Sequence, residues 1–133
     1  MKVIGLDHLV LTVKSIAATI AFYERVLGMA PEVFGPDKRS ALRFGLHKIN
    51  LHQADNMFEP RAEQPTMGSG DLCFLVDDVG AVKAQLEANG VAILEGPVER
   101  TGARGRIMSY YIRDPDINLI ELSQYLDGTK PAT

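Results

Sequence analysis

Tryptophan is absent from this 133-residue chain, and cysteine occurs once, at Cys73. A single thiol makes no internal disulfide, so core packing is expected to hold the chain together, as suits a reducing cytoplasm. No apolar run approaches the roughly 18 residues that a membrane-spanning helix needs. The start, Met1-Lys2-Val3-Ile4-Gly5, runs straight into a strand pattern, so no cleavable leader is expected. Positive charge is not in excess either: 14 Lys and Arg face 17 Asp and Glu, for a formal net charge of −3. That balance argues against nucleic acid as a partner, which usually requires a basic patch. What remains is an ordinary globular composition, 46% hydrophobic and 23% charged, at a length that fits one domain or two small halves sharing a core.

Read in order, Leu6 to Val13 alternates as a strand, with Leu6, His8, Val10 and Thr12 on one face. Ser15 is a candidate N-cap for a helix whose apolar positions are Ile16, Ile20, Tyr23 and Leu27, closed by Gly28. Strands are expected at Pro31 to Gly35, Ser40 to Phe44 and Ile49 to Ala54. Asp55 to Gly70, with two prolines and two glycines, reads as a long connection of the kind that is functional or a linker. A strand from Asp71 to Val76 follows, then a helix capped by Asp77 or Asp78 with Val79, Val82 and Leu86 on its inner face, ending at Asn89-Gly90. Val91 to Pro97 is the next expected strand, and Glu99 to Arg106 a basic loop whose arginines, Arg100, Arg104 and Arg106, read as solvated surface or, as the alternative, an anion-binding rim. Ser109 to Ile112 and Asn118 to Gln124 form a last hairpin around the turn Asp114-Pro115-Asp116. Leu126 to Thr133 reads as a frayed tail.

The order is βαβββ, linker, βαβββ, an internal repeat of about 60 residues. Laid on one another, the halves match His8-Leu-Val with Asp71-Leu-Cys, and Asn50-Leu-His52 with Leu119-Ile-Glu121. Each half then carries one ligand-type residue on its first strand and one on its last. Glu121 is the most telling, because a carboxylate inside an apolar strand is costly without a partner. Taken singly, His8, His52 and Asp71 each have an ordinary reading as a bonded strand histidine, a solvated histidine and a strand-start aspartate. Together with Glu121 they make two imidazoles and two carboxylates, a mixed shell suited to Zn²⁺, Ni²⁺, Co²⁺, Mn²⁺ or Fe²⁺ rather than Ca²⁺. His47 points to the opposite face of its strand and reads as surface. Ser109, Tyr111 and Arg113 share one face of the penultimate strand, either lining a substrate cleft beside Glu121 or simply solvated.

The doubled pattern, with DHLVLTV at the start and RDPDINLIEL at the end, resembles the vicinal oxygen chelate superfamily, which includes glyoxalase I, thiol transferases, extradiol dioxygenases and bleomycin-resistance proteins. KINLHQA, GPVERTGA and RDPDINLIELS look most like the subgroup named glyoxalase domain-containing protein 5. The resemblance implies an α+β fold in a single domain over residues 1–133. Two βαβββ modules, about 3–54 and 71–125 around linker 55–70, would form an eight-stranded, incompletely closed sheet with helices outside. It also implies one divalent metal per chain, a homodimer, and a lactoylglutathione lyase-like activity on a small vicinal-oxygen compound. Dioxygenase, thiol transferase and drug-sequestering readings are the alternatives. In glyoxalase I the ligands run His, Glu, His, Glu. His8 and Glu121 match, while His52 stands for a glutamate, Asp71 for a histidine, and Ile117 for the usual turn glycine. Glu121 is the expected proton-transfer base, since a carboxylate that leaves the metal would serve.

Overall fold

The computed structural model describes Met1 to Ala132, which divide into two compact units, Met1–Met67 and Gly68–Ala132. The first unit contains β1 (His8–Val13), α1 (Ile16–Leu27), β2 (Ala30–Phe34), β3 (Arg39–Phe44) and β4 (His47–Gln53). Its four strands form one mixed sheet in the order β1-β4-β3-β2, with β1 and β4 parallel and the other pairs antiparallel.

The start and stop of α1 follow from its ends. Ser15 Oγ accepts from the Ala18 N–H at 3.2 Å, and Gly28 takes φ +67°, the left-handed conformation that glycine adopts without a Cβ clash. The buried stripe is Thr19, Tyr23 and Val26, one step round from the expected Ile16, Ile20 and Leu27, which flank it half-buried. Thr19 is tolerated inside because its hydroxyl donates to the Ser15 carbonyl at 2.9 Å. The stripe is buried together with Leu11, Val13, Leu42, Ile49 and Leu51 on one face of the sheet.

The second unit contains β5 (Asp71–Leu75), a 3₁₀ turn (Val79–Ala81), α2 (Val82–Ala88), β6 (Glu95–Gly102), β7 (Gly105–Arg113) and β8 (Leu119–Tyr125). Its sheet repeats the first in the order β5-β8-β7-β6. Of the two candidate caps, Asp78 acts: its carboxylate accepts from the Gly80 N–H at 2.9 Å. Phe74, Val82, Leu86, Tyr110, Ile112, Ile120 and Leu122 form the core. The eight expected strands are all present, paired as two four-stranded mixed sheets rather than one continuous eight-stranded ladder.

One expected element moves. The strand placed at Val91 to Pro97 begins at Glu95 and runs to Gly102, so the expected basic loop is the tip of a long hairpin. Gly102 pairs with Gly105 across the two-residue connection Ala103-Arg104, and Arg100 and Arg106 lie on strands. The tail leaves regular structure after Tyr125, and Thr133 lies outside the described residues.

Candidate functional site

In the second unit an open cleft of about 440 Å³ is lined by Asp71, Leu94, Glu95, Arg100, Tyr111, Leu119 and Glu121. Strand pairing explains the company. Cys73 is level with Glu121, Tyr111 is level with Glu121 on the other side, and Asp71 lies one register step of two residues away on β5. Residues two apart on a strand share a face, so Asp71, Glu121 and Tyr111 all point to the sheet face opposite α2's core.

Glu121 has a protein partner. Ser109 Oγ donates to Glu121 Oε1 at 2.6 Å and lies 2.7 Å from Ser123 Oγ, to which the Cys73 thiol donates at 3.3 Å. Ser109, expected as a substrate contact, is fully buried and instead holds the carboxylate in place. Tyr111 does line the cleft. Its oxygen accepts from Arg100 Nε at 3.2 Å, and Arg100 in turn pairs with Glu95 at 2.9 Å. Burial pushes the Tyr111 phenol above its usual value, so it stays a protonated donor beside Glu121. Arg113, the third expected contact, is exposed at the strand end, donates to the Ile117 carbonyl and is not among the lining residues. Glu95 escaped the sequence reading, and Arg100 entered it only as one of a loop cluster, although Gly102 and Gly105 bracketing two residues is a hairpin signal that puts Arg100 on a strand.

The entry to β8 is built by side chains. Asp114 Oδ1 accepts from the Asp116 and Asn118 N–H groups, each at 2.9 Å, and Asp114 Oδ2 accepts from Asn118 Nδ2 at 2.8 Å. Asn118 Oδ1 takes the Gly70 N–H at 2.8 Å, which ties β8 to the start of β5. This network forces Ile117 to φ +68°, where a glycine would be unstrained.

In the first unit the expected pair separates. His8 is level with Lys48, whereas His52 is level with Thr12, four residues further along and thus roughly 13 Å away along the strands. The residue whose register matches Glu121 is Asn50, opposite Val10 as Glu121 is opposite Cys73. The register counterpart of His52 is Ser123. His8 is exposed, with Nδ1 2.7 Å from Asp7 Oδ1. A carboxylate only accepts, so Nδ1 carries a proton, an arrangement common in metal-binding imidazoles, which leaves Nε2 as the ring's other nitrogen. The His8 hydrogen bond also holds the Asp7 carboxyl below its usual range. His52 is buried, and its Nε2 accepts from Arg39 at 2.8 Å. Burial first, and the Arg39 charge second, keep His52 below the usual imidazole value. A dication on that nitrogen would displace a guanidinium and then sit beside it, so His52 as arranged does not fit a metal. Within the second unit, Asp71 and Glu121 remain suitable donors, and within the first, His8 does. Among the described residues no three His, Cys, Asp or Glu side chains are gathered closely enough to hold a metal.

The sequence profile of the Glyoxalase/Bleomycin resistance protein/Dioxygenase superfamily matches residues 5–122. The chain belongs to this superfamily. Virulence protein STM3117 of Salmonella typhimurium is 57% identical over 122 residues, covering 91% of this chain and 84% of that protein. Glyoxalase domain-containing protein RDO1 of Mycosarcoma maydis is 52% identical over 129 residues, covering 96% of this chain and 72% of that protein. The crystal structure of STM3117 superposes with a TM-score of 0.92 at 55% identity, covering 95% of this chain and all of that one. The two βαβββ units are thus the superfamily's fold. Among the described residues no helix is long and apolar enough to cross a membrane.

Proposed function

We propose that the chain is a metal-dependent glyoxalase-like lyase or isomerase acting on a small 2-oxo or 2-hydroxy carbonyl compound, with Glu121 as the group that moves a proton between adjacent carbons. The observation that carries this reading is Glu121 itself, a carboxylate in an apolar strand, held at one oxygen by buried Ser109 and lining a cleft. Asp71 and Glu121, on one face of the second unit's sheet, are the donors a divalent ion would take there, and such an ion would supply Lewis acidity toward two neighbouring substrate oxygens.

The chain's own residues do the rest. Ser109 limits Glu121 to a narrow arc, which favours proton transfer at one fixed point. Tyr111, protonated and anchored by Arg100, is placed to donate to a substrate oxygen. Arg100 is itself neutralised by Glu95 and so positions Tyr111 rather than drawing in anions. Within the superfamily, KINLHQA and GPVERTGA favour the subgroup resembling glyoxalase domain-containing protein 5.

The test is metal content by mass spectrometry on the purified protein, followed by a metal-dependent screen against hemithioacetals, epoxides and catechols. Turnover of a hemithioacetal that vanishes in Glu121→Gln supports the lyase. Turnover of catechols alone moves the chain to the dioxygenases. A second reading, a protein that sequesters a small molecule without converting it, is favoured by Arg39 occupying His52 Nε2. Metal-free protein that turns over none of the three classes yet binds one of them saturably and unchanged supports that reading instead.

A further inference from the structure

Glu121 is the end point of a chain of hydroxyl and thiol groups that crosses the sheet of the second unit. Cys73 is on β5, Ser123 and Glu121 are on β8, and Ser109 is on β7. Cys73 is level with Glu121 across the β5–β8 pair, and Ser109 is level with Ser123 across β7–β8, so all four share one face. The Cys73 thiol lies 3.3 Å from Ser123 Oγ, Ser123 Oγ lies 2.7 Å from Ser109 Oγ, and Ser109 Oγ lies 2.6 Å from Glu121 Oε1.

Counting protons fixes the direction of every bond. A carboxylate only accepts, so Ser109 spends its one hydroxyl proton on Glu121. Ser109 can then only accept from Ser123, which spends its own proton in turn. Ser123 is left to accept, and the Cys73 thiol donates to it. Both serines are fully buried, so bulk water does not compete for these protons. Hydrogen bonds that run in one direction along a chain polarise one another.

The repeat shows that the fold does not need this chain. At the registers of Cys73, Glu121 and Ser123 the first unit has Val10, Asn50 and His52. Val10 has no proton to donate and Asn50 is no carboxylate, yet the first sheet has the same strand order. The chain therefore accompanies Glu121 rather than the βαβββ architecture.

We propose that Ser123 and Cys73 are positioning residues for Glu121: Ser123 turns the Ser109 hydroxyl onto the carboxylate, and the Cys73 thiol holds the Ser123 hydroxyl in its donating orientation. This rests on Glu121 being the group that moves the proton, and it makes the precision of that carboxylate depend on a thiol at the exposed edge of the sheet.

The test compares Cys73→Ala with Cys73→Ser in the full-length protein. The two variants differ by one hydroxyl at an exposed position, so packing changes alike in both. The first readout is the Glu121 side-chain carboxyl carbon in ¹³C-labelled protein, followed by NMR at one fixed pH and assigned by its loss in Glu121→Gln. The resonance should be displaced in Cys73→Ala, displaced further in the same direction in Ser123→Ala, and returned close to the parent position in Cys73→Ser. The second readout is hemithioacetal turnover, where kcat should fall about threefold in Cys73→Ala and about fivefold in Ser123→Ala with KM unchanged, and recover in Cys73→Ser. The same carboxyl position in Cys73→Ala and Cys73→Ser overturns the proposal, and this comparison holds even if Ser123→Ala fails to fold. A parent protein without turnover counts against the proton-transfer reading alone, and the carboxyl resonance still decides for or against the chain.

Discussion

Ser109 reaches Glu121 diagonally: it is level with Ser123 across the β7–β8 pair, yet its hydroxyl lies 2.6 Å from the Glu121 carboxylate two residues away. A fully buried serine thus sets the position of a half-exposed acid. Ser109→Ala should lower kcat about tenfold with KM little changed, because a charge-assisted bond of roughly 1.5–3 kcal/mol no longer orients the carboxylate. Ser109→Thr, which keeps the hydroxyl, should recover part of the rate. If kcat is untouched in Ser109→Ala, the serine serves packing alone.

The two cleft carboxylates should behave differently. Glu121→Gln is expected to abolish tight metal binding with the fold retained, and Glu121→Asp to keep some metal but lose most turnover. Asp71, exposed at the start of β5 and one methylene shorter, should tolerate Asn with weakened metal affinity and measurable turnover at saturating metal. A metal-saturated Asp71→Asn that is dead, beside an active Glu121→Asp, would reverse the two roles.

His52 should titrate below the usual imidazole value near 6.5, since burial and the Arg39 charge both oppose its protonation. In Arg39→Gln its NMR midpoint should move up, only part of the way, because burial is the larger cause. The linkage has a definite sign. Below about pH 6.5 the unfolded chain takes up a proton that the folded chain refuses, so this residue's contribution to stability falls with pH until the folded value is reached. A His52 midpoint above 6.5 in the parent protein contradicts the assignment.

Ile117 holds φ +68° and is largely exposed, so its side chain returns little for the strain. Ile117→Gly should raise stability by about 0.5–1 kcal/mol, since relief of the left-handed strain outweighs glycine's added chain entropy. Urea denaturation measures this directly, and a destabilised variant would mean that the isoleucine has a packing role.

A homodimer is expected, because each four-stranded sheet leaves edge strands, β1 and β2 in one unit and β5 and β6 in the other, and such edges are usually covered. Sedimentation at micromolar concentration should give twice 14.6 kDa. A monomer at that concentration counts against it.

By itself, the sequence determined the element types and the repeat. Ser15, Gly28, Asp78 and the alternation along β1 and β8 act within a few residues of themselves, so their consequences are legible locally. Glu121 stood out for the same reason, as a charge interrupting an apolar strand that then needs a partner. Only the tertiary structure decided which residue of β4 corresponds to it. Asn50 and His52 lie two apart and share a face, so alternation of side chains is blind to a slip between them, and the inter-strand hydrogen bonds alone set the register. The same holds for Ser109, whose burial depends on β8 lying beside β7. It holds too for Arg39, which lies against the Phe58 ring of a loop that carries no local signal of where it folds.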